Sequence, residues 1–493
     1  MEILNYFFVT FSIIYSVYYY FTRTFNHWNS KCVLGPKPVP LFGNIKDTAL
    51  RRKALTSVYR KIYDDYPNEK VVGIYRMTTP AVLIRDLDVI KHVMIKDFDM
   101  FVDRGMELSD DGLGANLFFS DGDRWRVLRN QFTPLFTTGK LKNMLYLIIE
   151  KGDLFVDYVD EIIEGQPEQE IHSLMQSYTV STIAACAGII KKIDELIFTL
   201  NFTLELDIMY PGILKKINST MFPKFLTKFF NDLVNNVVRQ RNGKPTGRND
   251  FMDIILELRQ RRHIKGTRRN SDVQLCLDLT DDVIASQAFV FYAAGYETSA
   301  TMMTFLLYEM AKNPDVQDKL IAHIDEVLDK FDGKFTYEST TELTYLETVM
   351  AETLRKYPLG EPLVRKAHAD YEFPGTEVTI NKGQIVMLSV MGIHHDEKYY
   401  PDPEKFNPER FTPENCKDRH PCAYMPFGLG PRQCIGIRFA KLQAQVGIAK
   451  FFSKFRVEFS KNTKSVIEFD PKRIIICPVG GIQLNVIKRQ RIK

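Results

Sequence analysis

The sequence predicts a mainly α-helical domain with small β-sheets, carried behind an N-terminal membrane-spanning helix. Three observations point there. Ile3 to Thr22 contains no charged residue and is dominated by Ile, Val, Phe and Tyr; twenty helical residues reach about 30 Å, the thickness of a bilayer core. A second apolar stretch runs from Thr280 to Lys312, opened by Thr280-Asp281-Asp282 and stopped by Asn313-Pro314, so it reads as one long capped helix. The β-prone runs Val71–Tyr75 and Ala81–Ile84 are short and flank Thr78-Thr79-Pro80, which suits a hairpin in a small sheet.

The chain has 493 residues. Length alone suggests about three domains, yet no linker divides the sequence, and a hydrophobic share of 45% with 12% aromatics suits one large core. A net charge of +4 gives no basis for a nucleic-acid partner. Seven cysteines without paired spacing suit a reducing compartment. We therefore expect an anchor at residues 1–22, a linker and hinge at 23–44 and a single domain at 45–493.

Arg23, Lys31 and Lys37 follow the apolar span, while Glu2 precedes it. The positive-inside tendency then places the bulk of the chain in the cytoplasm. A cleaved signal would have a shorter apolar region and a small-residue site in place of Arg23-Thr24-Phe25. On this topology the sequons at Asn201 and Asn218 stay unused. Gly35-Pro36-Lys37-Pro38-Val39-Pro40 reads as a stiff spacer, because proline fixes φ and removes donors.

Further along, a helix is expected at Asp88–Lys96. The glycine-bearing stretch Arg104–Ser120 reads as loop. Asp121-Gly122-Asp123 opens a helix whose Trp125 and Arg129, four apart, share a face. Phe222–Phe230 is apolar and basic together, fitting either a membrane-dipping loop or a cavity roof. The basic run Arg259–Arg269 reads as a solvated connector.

Three short patterns bear chemistry. Ala294-Gly295-Tyr296-Glu297-Thr298 puts a glycine, an acid and a hydroxyl in the middle of the long apolar helix, where each is locally costly; such conflict marks either a kink with a back-bonded threonine or a site. Glu352-Thr353-Leu354-Arg355 places acid and base one turn apart. Phe427-Gly428-Leu429-Gly430-Pro431-Arg432-Gln433-Cys434-Ile435-Gly436 sets one cysteine in a glycine-rich loop. Chance would match its five distinctive positions about once in ~10⁴ such chains. A thiolate is a soft, strong ligand for iron, and glycines leave room for a flat macrocycle near the backbone. A zinc site with Cys416, His420 and Cys422 is the competing reading, but no pair has C-x₂₋₄-C spacing.

With these residues in hand, the chain resembles the cytochrome P-450 monooxygenases, from about residue 35 to the C-terminus, and among them the insect microsomal members that metabolise xenobiotics. The resemblance implies haem b, with Cys434 as its iron ligand and Phe427 beside it. It implies that Arg104, Trp125, Arg129, Arg365 and Arg432 hold the haem propionates. It implies that Ala294 opens a groove for dioxygen, that Thr298 orders a water and that Glu297 relays protons. Glu352, Arg355 and Arg410 of Pro408-Glu409-Arg410-Phe411 match the family's buried structural network. Met106, Leu113, Leu117, Phe118, Phe289, Val290, Ala294, Leu363, Val364 and Val479 occupy substrate-cavity positions.

The function implied is insertion of one atom of O2 into apolar organic substrates: xenobiotics, insecticides, plant toxins or endogenous lipophiles. Electrons would come from NADPH through NADPH-cytochrome P-450 reductase, with cytochrome b5 as a second donor, at the cytoplasmic face of the endoplasmic reticulum membrane. Two rivals stand beside it. One is a haem-thiolate isomerase or dehydratase of peroxides, disfavoured because Thr298 is retained. The other is a catalytically silent haem protein, kept open by Ala187–Leu200, which is about ten residues shorter than the family pattern.

Overall fold

The computed structural model describes residues 2–106, 112–183, 197–199, 203, 206–207, 213–217, 219, 222–247, 251–267 and 274–490. The sequons at Asn201 and Asn218, the Arg268-Arg269 end of the basic run and most of Ala187–Leu200 lie outside these residues.

The first helix, α1 (Glu2–Thr22), is exposed from Ile3 to Tyr20, and it is long and apolar enough to cross a membrane. The following stretch is packed down rather than strung out. Trp28 is 2% exposed and its indole N–H donates to the Ile74 carbonyl at 2.9 Å. Gly73 permits this: a Cβ there would stand 2.6 Å from the Trp28 ring.

α2 (Lys46–Ala49) and α3 (Leu55–Asp65) lead to the hairpin β1 (Val71–Arg76) and β2 (Thr79–Ile84). The two strands pair antiparallel from Val71↔Ile84 to Arg76↔Thr79. α4 (Leu87–Lys91) runs into one π turn, His92–Lys96. α5 (Gly122–Phe132), α6 (Thr138–Gly165), β3 (Glu168–Glu170) and α7 (Ile171–Ile183) follow. Next come α8 (Lys224–Gln240) and α9 (Phe251–Arg261).

Where a solvated connector was expected, the chain makes a hairpin of β4 (His263–Thr267) and β5 (Gln274–Asp278). The reason is alternation: Ile264 is buried and Leu275 and Leu277 face the core, while Lys265, Gln274, Cys276 and Asp278 face water. Within the strand, Lys265 lies on the water-facing side. Phe222, Leu226 and Phe230 form an inward stripe, and Phe222 and Phe230 meet Phe289 at ring distances of 4.8 and 5.1 Å. That segment roofs the core, with Phe225 left 56% exposed.

α10 (Asp281–Lys312) is the axis of the molecule. Thr280 caps it by accepting from the Val283 N–H, and residues 299–310 are all buried. α7, α8, α11 (Pro314–Lys330) and α12 (Thr344–Lys356) pack around it. β6 (Leu363–Lys366) and β9 (Ile385–Leu388) complete a four-stranded sheet in the order β1-β2-β9-β6; β7 (Tyr371–Glu372) pairs with β8 (Thr379–Ile380). α13 (Ile437–Lys454) follows the cysteine loop, and β10 (Phe455–Phe459), β11 (Gln483–Lys488) and β3 form a three-stranded sheet. The architecture is the mainly α one with small sheets that the sequence predicts. One core cluster surrounds α10 and another backs the four-stranded sheet. The cysteine loop touches the sheet side through Met94 and Leu363, and the α10 side through Phe136.

Candidate functional site

Glycines shape the loop before Cys434. Gly430 sits at φ +69°, and a Cβ there would lie 1.8 Å from the Met94 carbonyl oxygen. No L-residue with a side chain fits without moving that backbone. The turn Gly430–Arg432 then delivers Cys434, whose N–H donates to the Phe427 carbonyl at 2.8 Å. The Cys434 side chain is accessible, although protein surrounds it at longer range. Burial therefore pushes its thiol up, against the Gly436 N–H bonded to the sulfur and the positive charges of Arg129 and Arg104. A cation ligated by the sulfur would reverse that balance. On its other side the loop reaches α10: Gly436 stands against Phe136, and Phe136 lies 5.7 Å from the Phe291 ring.

Sequence reasoning singles out five propionate-site residues, and the structure draws them together. Arg104 lies 3.9 Å above the Phe118 ring and donates to the Phe118 carbonyl at 2.8 Å. Arg432 lies 4.4 Å above Trp125 and donates to the Ser120 carbonyl. Arg365, on β6, donates to the Val364 carbonyl. These guanidiniums destabilise one another. Burial first, then Arg104, brings Arg365 down to about 9. Burial also brings Arg104 down to about 10, with Arg129 adding to the fall. Arg432 is lowered as well, through burial and the charges of Arg104 and Arg365. Arg365 Nε and Arg432 Nε and Nη1 are buried with no partner. Buried cations that repel one another and leave N–H groups unsatisfied call for an anion. The two carboxylates of a haem, with iron on a thiolate, meet that need.

Two carboxylates that the sequence reading missed already lean on Arg432: Asp103 at 3.8 Å and Asp121 at 3.7 Å. Burial, then the nearness of Asp103, lifts the Asp121 carboxyl to about 7.

In the middle of α10, Ala294 is exposed although Ala293, Tyr296 and Glu297 are buried. Thr298 Oγ donates to the Ala294 carbonyl at 2.6 Å, so the two share one accessible face. Gly295 faces elsewhere: a Cβ there would stand 2.8 Å from Ile183, so the glycine lets α7 approach. Glu297 is 0% exposed and points into protein, taking Arg473 at 2.7 Å, Gln176 at 2.8 Å and His172 at 3.4 Å. Burial opposes its charge, but His172 and Arg473 outweigh burial and hold the carboxyl far below its usual range.

The acid and base of α12 are both 0% exposed, with Arg355 Nε on Glu352 at 2.7 Å. Arg355 also donates to the carbonyls of His394 and Pro403 at 2.8 and 2.7 Å. Glu352 takes the Asn407 N–H at 2.8 Å and lies 3.4 Å from Arg410 Nε. His394, not singled out from sequence, extends this network: its Nδ1 meets the Arg355 carbonyl and its Nε2 accepts from the Met425 N–H at 3.0 Å. It thus joins α12 to the start of the cysteine loop. A histidine between two buried backbones has no periodic signature, so sequence could not flag it.

The cavity candidates divide. Leu113, Leu117 and Phe289 are buried, Val290 is half-buried and Phe118 is 43% exposed under Arg104. Leu363 and Val364 lead into Arg365 on β6, and Leu363 approaches Gly428. Met106 is half-buried at the edge of the described loop. Val479 stands apart. It lines a cleft with Tyr308, Thr463 and Lys464, and Tyr308 lies about 15 Å along the α10 axis from Thr298. Cys416, His420 and Cys422 do not converge as metal ligands. The grouping within ligand reach among the described residues is His263, Cys276 and Asp278, exposed on the β4–β5 hairpin.

Comparison with known proteins shows the family. The model of the family "Cytochrome P-450" matches residues 33–486. The chain is 58% identical to cytochrome P-450 6B1 of Papilio polyxenes, across 96% of this chain and 97% of that protein. It is 53% identical to cytochrome P-450 6B2 of Helicoverpa armigera, over 97% of each. It is 37% identical to cytochrome P-450 6a2 of Drosophila melanogaster, over 95% of this chain and 96% of that one. The chain thus belongs to the cytochrome P-450 family, as a monooxygenase that carries haem and works with molecular oxygen and electrons supplied by a partner.

Proposed function

We propose that this chain is a membrane-anchored monooxygenase of small apolar substrates, fed by NADPH through a reductase, with its folded domain on the cytoplasmic side of the endoplasmic reticulum. The observation that carries the site assignment is the accessible Cys434 sulfur under the charges of Arg104 and Arg129, in a site where Arg365 Nε and Arg432 Nε and Nη1 are buried without partners. In this reading Cys434 is the iron ligand, and Arg104, Arg129, Arg365 and Arg432 hold the two propionates, with Trp125 beneath Arg432. When bound, haem supplies the iron chemistry that places one oxygen atom in the substrate and reduces the other to water.

The chain's own residues then divide the remaining work. Leu113, Leu117, Phe118 and Phe289 offer an apolar wall that favours carbon-rich substrates and excludes bulk water. Water exclusion makes proton supply a problem, because reduction of the second oxygen atom consumes two protons. Thr298 answers it. Its hydroxyl hydrogen is committed to the Ala294 carbonyl, so its lone pairs are free to accept from, and so to orient, a water on the accessible face of α10. Glu297, adjacent in the chain but turned into protein, is the buried acid nearest that face. The exposed apolar α1 and the basic residues after it support the anchor and its orientation.

The test is Thr298→Ala in the full chain with reductase. Haem content and the spectrum of the reduced carbon-monoxide complex should stay near those of the parent. Product formed per NADPH consumed should fall about 10-fold, since the water that Thr298 orients would lose its position, positioned proton transfer commonly contributes 10²–10⁴-fold to its own step, and other steps share control. Unchanged coupling would remove Thr298 from this role.

A further inference from the structure

Glu297 has more partners than a proton-carrying acid needs, and they come from separate parts of the chain. Arg473 belongs to the stretch before β11, Gln176 and His172 to α7. His172 Nε2 lies 3.4 Å from Glu297 Oε1 and 3.5 Å from Thr301 Oγ. The Cys477 side chain is close enough to act on the same imidazole. Glu170, in β3, caps this turn by accepting from the backbone N–H of His172 at 3.1 Å. Elsewhere α7 meets α6 and α13 through Phe155 and Gln443, at Tyr178 and Thr182. The charges facing His172 are therefore Glu297 and Arg473, with Glu170 at its backbone and Cys477 as its thiol neighbour.

We propose that His172 is a positioning residue for Glu297: its imidazolium closes a latch that draws α7 and the Arg473–Cys477 stretch onto the middle of α10 and keeps the carboxylate turned from the Ala294–Thr298 face. Gln176 and Arg473 hold the same carboxylate, but amide and guanidinium do not change charge in any working pH range. His172 does. Burial pulls its proton off, yet the neighbouring Cys477 and Glu297 outweigh burial and raise its pKa well above 6.5. The side chain is 12% exposed, so solvent protons reach it while Glu297 stays sealed.

The sign follows. A raised folded-state pKa contributes stability that is fully present below about 6.5, and that stability is lost as pH climbs through the folded value. The latch is closed at neutral pH and loosens on the alkaline side. The influence of the latch on turnover rests on the role given to Glu297 above; the latch itself rests on the contacts.

Its test uses the full-length haem-loaded protein, with thermal midpoints followed by loss of the haem absorption band from pH 6 to pH 10. The parent should show a downward step of about 2 °C or more on the alkaline side. His172→Gln should lose the step and sit near the parent's high-pH midpoint throughout. His172→Lys, which keeps the charge to higher pH, should restore the neutral-pH value and carry it through the window. Glu297→Gln should also lose the step. A His172→Gln curve that runs parallel to the parent, lower by a constant amount, would overturn the latch and leave a packing role only. Product formed per NADPH, measured on the same proteins, separates the two claims. A lost step with Glu297→Gln coupling unchanged at every pH keeps the latch and removes Glu297 from proton supply. A coupling profile that follows the step in the parent and is flat in His172→Gln supports both.

Discussion

Glu352→Gln probes the lock behind the cysteine loop at its most demanding atom. Glu352 is fully buried and receives Arg355 through Nε at 2.7 Å and Nη2 at 3.0 Å, the Asn407 N–H at 2.8 Å, and the charge of Arg410 at 3.4 Å. Glutamine keeps the shape and one acceptor. It removes the carboxylate that faces both Arg355 and Arg410, and it turns an NH2 toward a donor. Arg355 retains its bonds to the His394 and Pro403 carbonyls, so it is not stripped bare. Its charge, however, is left uncompensated at 0% exposure. Removing one partner of a buried pair costs about 3–5 kcal/mol. The retained carbonyl bonds favour the lower end, about 3 kcal/mol, which is a large part of the 5–15 kcal/mol typical of a folded protein. Urea unfolding followed in parallel by far-ultraviolet circular dichroism and by haem absorbance measures it. The midpoint should fall at unchanged slope. Haem should also leave earlier than the helices unfold, because Arg355 carries His394, and His394 carries Met425 at the mouth of the cysteine loop. A loss below about 1 kcal/mol, or haem and helix signals that fall together as in the parent, would refute the reasoning that links the pair to the loop.

Three further outcomes are expected. Cys434→Ser should abolish the thiolate-type spectrum of the reduced carbon-monoxide complex, since serine is a poor iron ligand at neutral pH; a surviving spectrum would reassign the ligand. Gly430→Ala should reduce haem incorporation severely, because its Cβ would stand 1.8 Å from the Met94 carbonyl at φ +69°, and normal incorporation measured by pyridine haemochrome would show that the loop yields. Deleting residues 1–22 should release the protein from microsomes, and in the full chain protease added outside intact microsomes should digest the domain; complete protection would reverse the topology.

Several parts of this protein are legible in its sequence because local chemistry is enough to specify them. The apolar span needs only hydropathy and length. The α10 boundaries follow from Thr280 and Asn313-Pro314, each acting within a turn of its own helix. Cys434 announces itself because Gly430 stands where a side chain would collide, and that demand is written as residue type. The pairing of Glu352 with Arg355 is an i,i+3 relation within one helix.

What the tertiary structure alone decides is which distant groups share an environment. The basic run before α10 reads as solvated by charge count, but the alternation of Ile264, Leu275 and Leu277 against a core makes it a hairpin. Residues 23–44 read as a linker and hinge, yet Trp28 finds a slot above Gly73, and neither residue reveals the other. Asp103 and Asp121 gain meaning only because folding sets them against Arg432, and His394 only because it spans Arg355 and Met425. Glu297 shows the limit most clearly. Its motif marks it as an acid beside a threonine, but His172 is 125 residues before it and Arg473 is 176 after it. Whether that carboxylate faces the Ala294–Thr298 side or is held from behind is an electrostatic outcome of three chain segments meeting in a dry interior. No spacing rule within any one of them contains it.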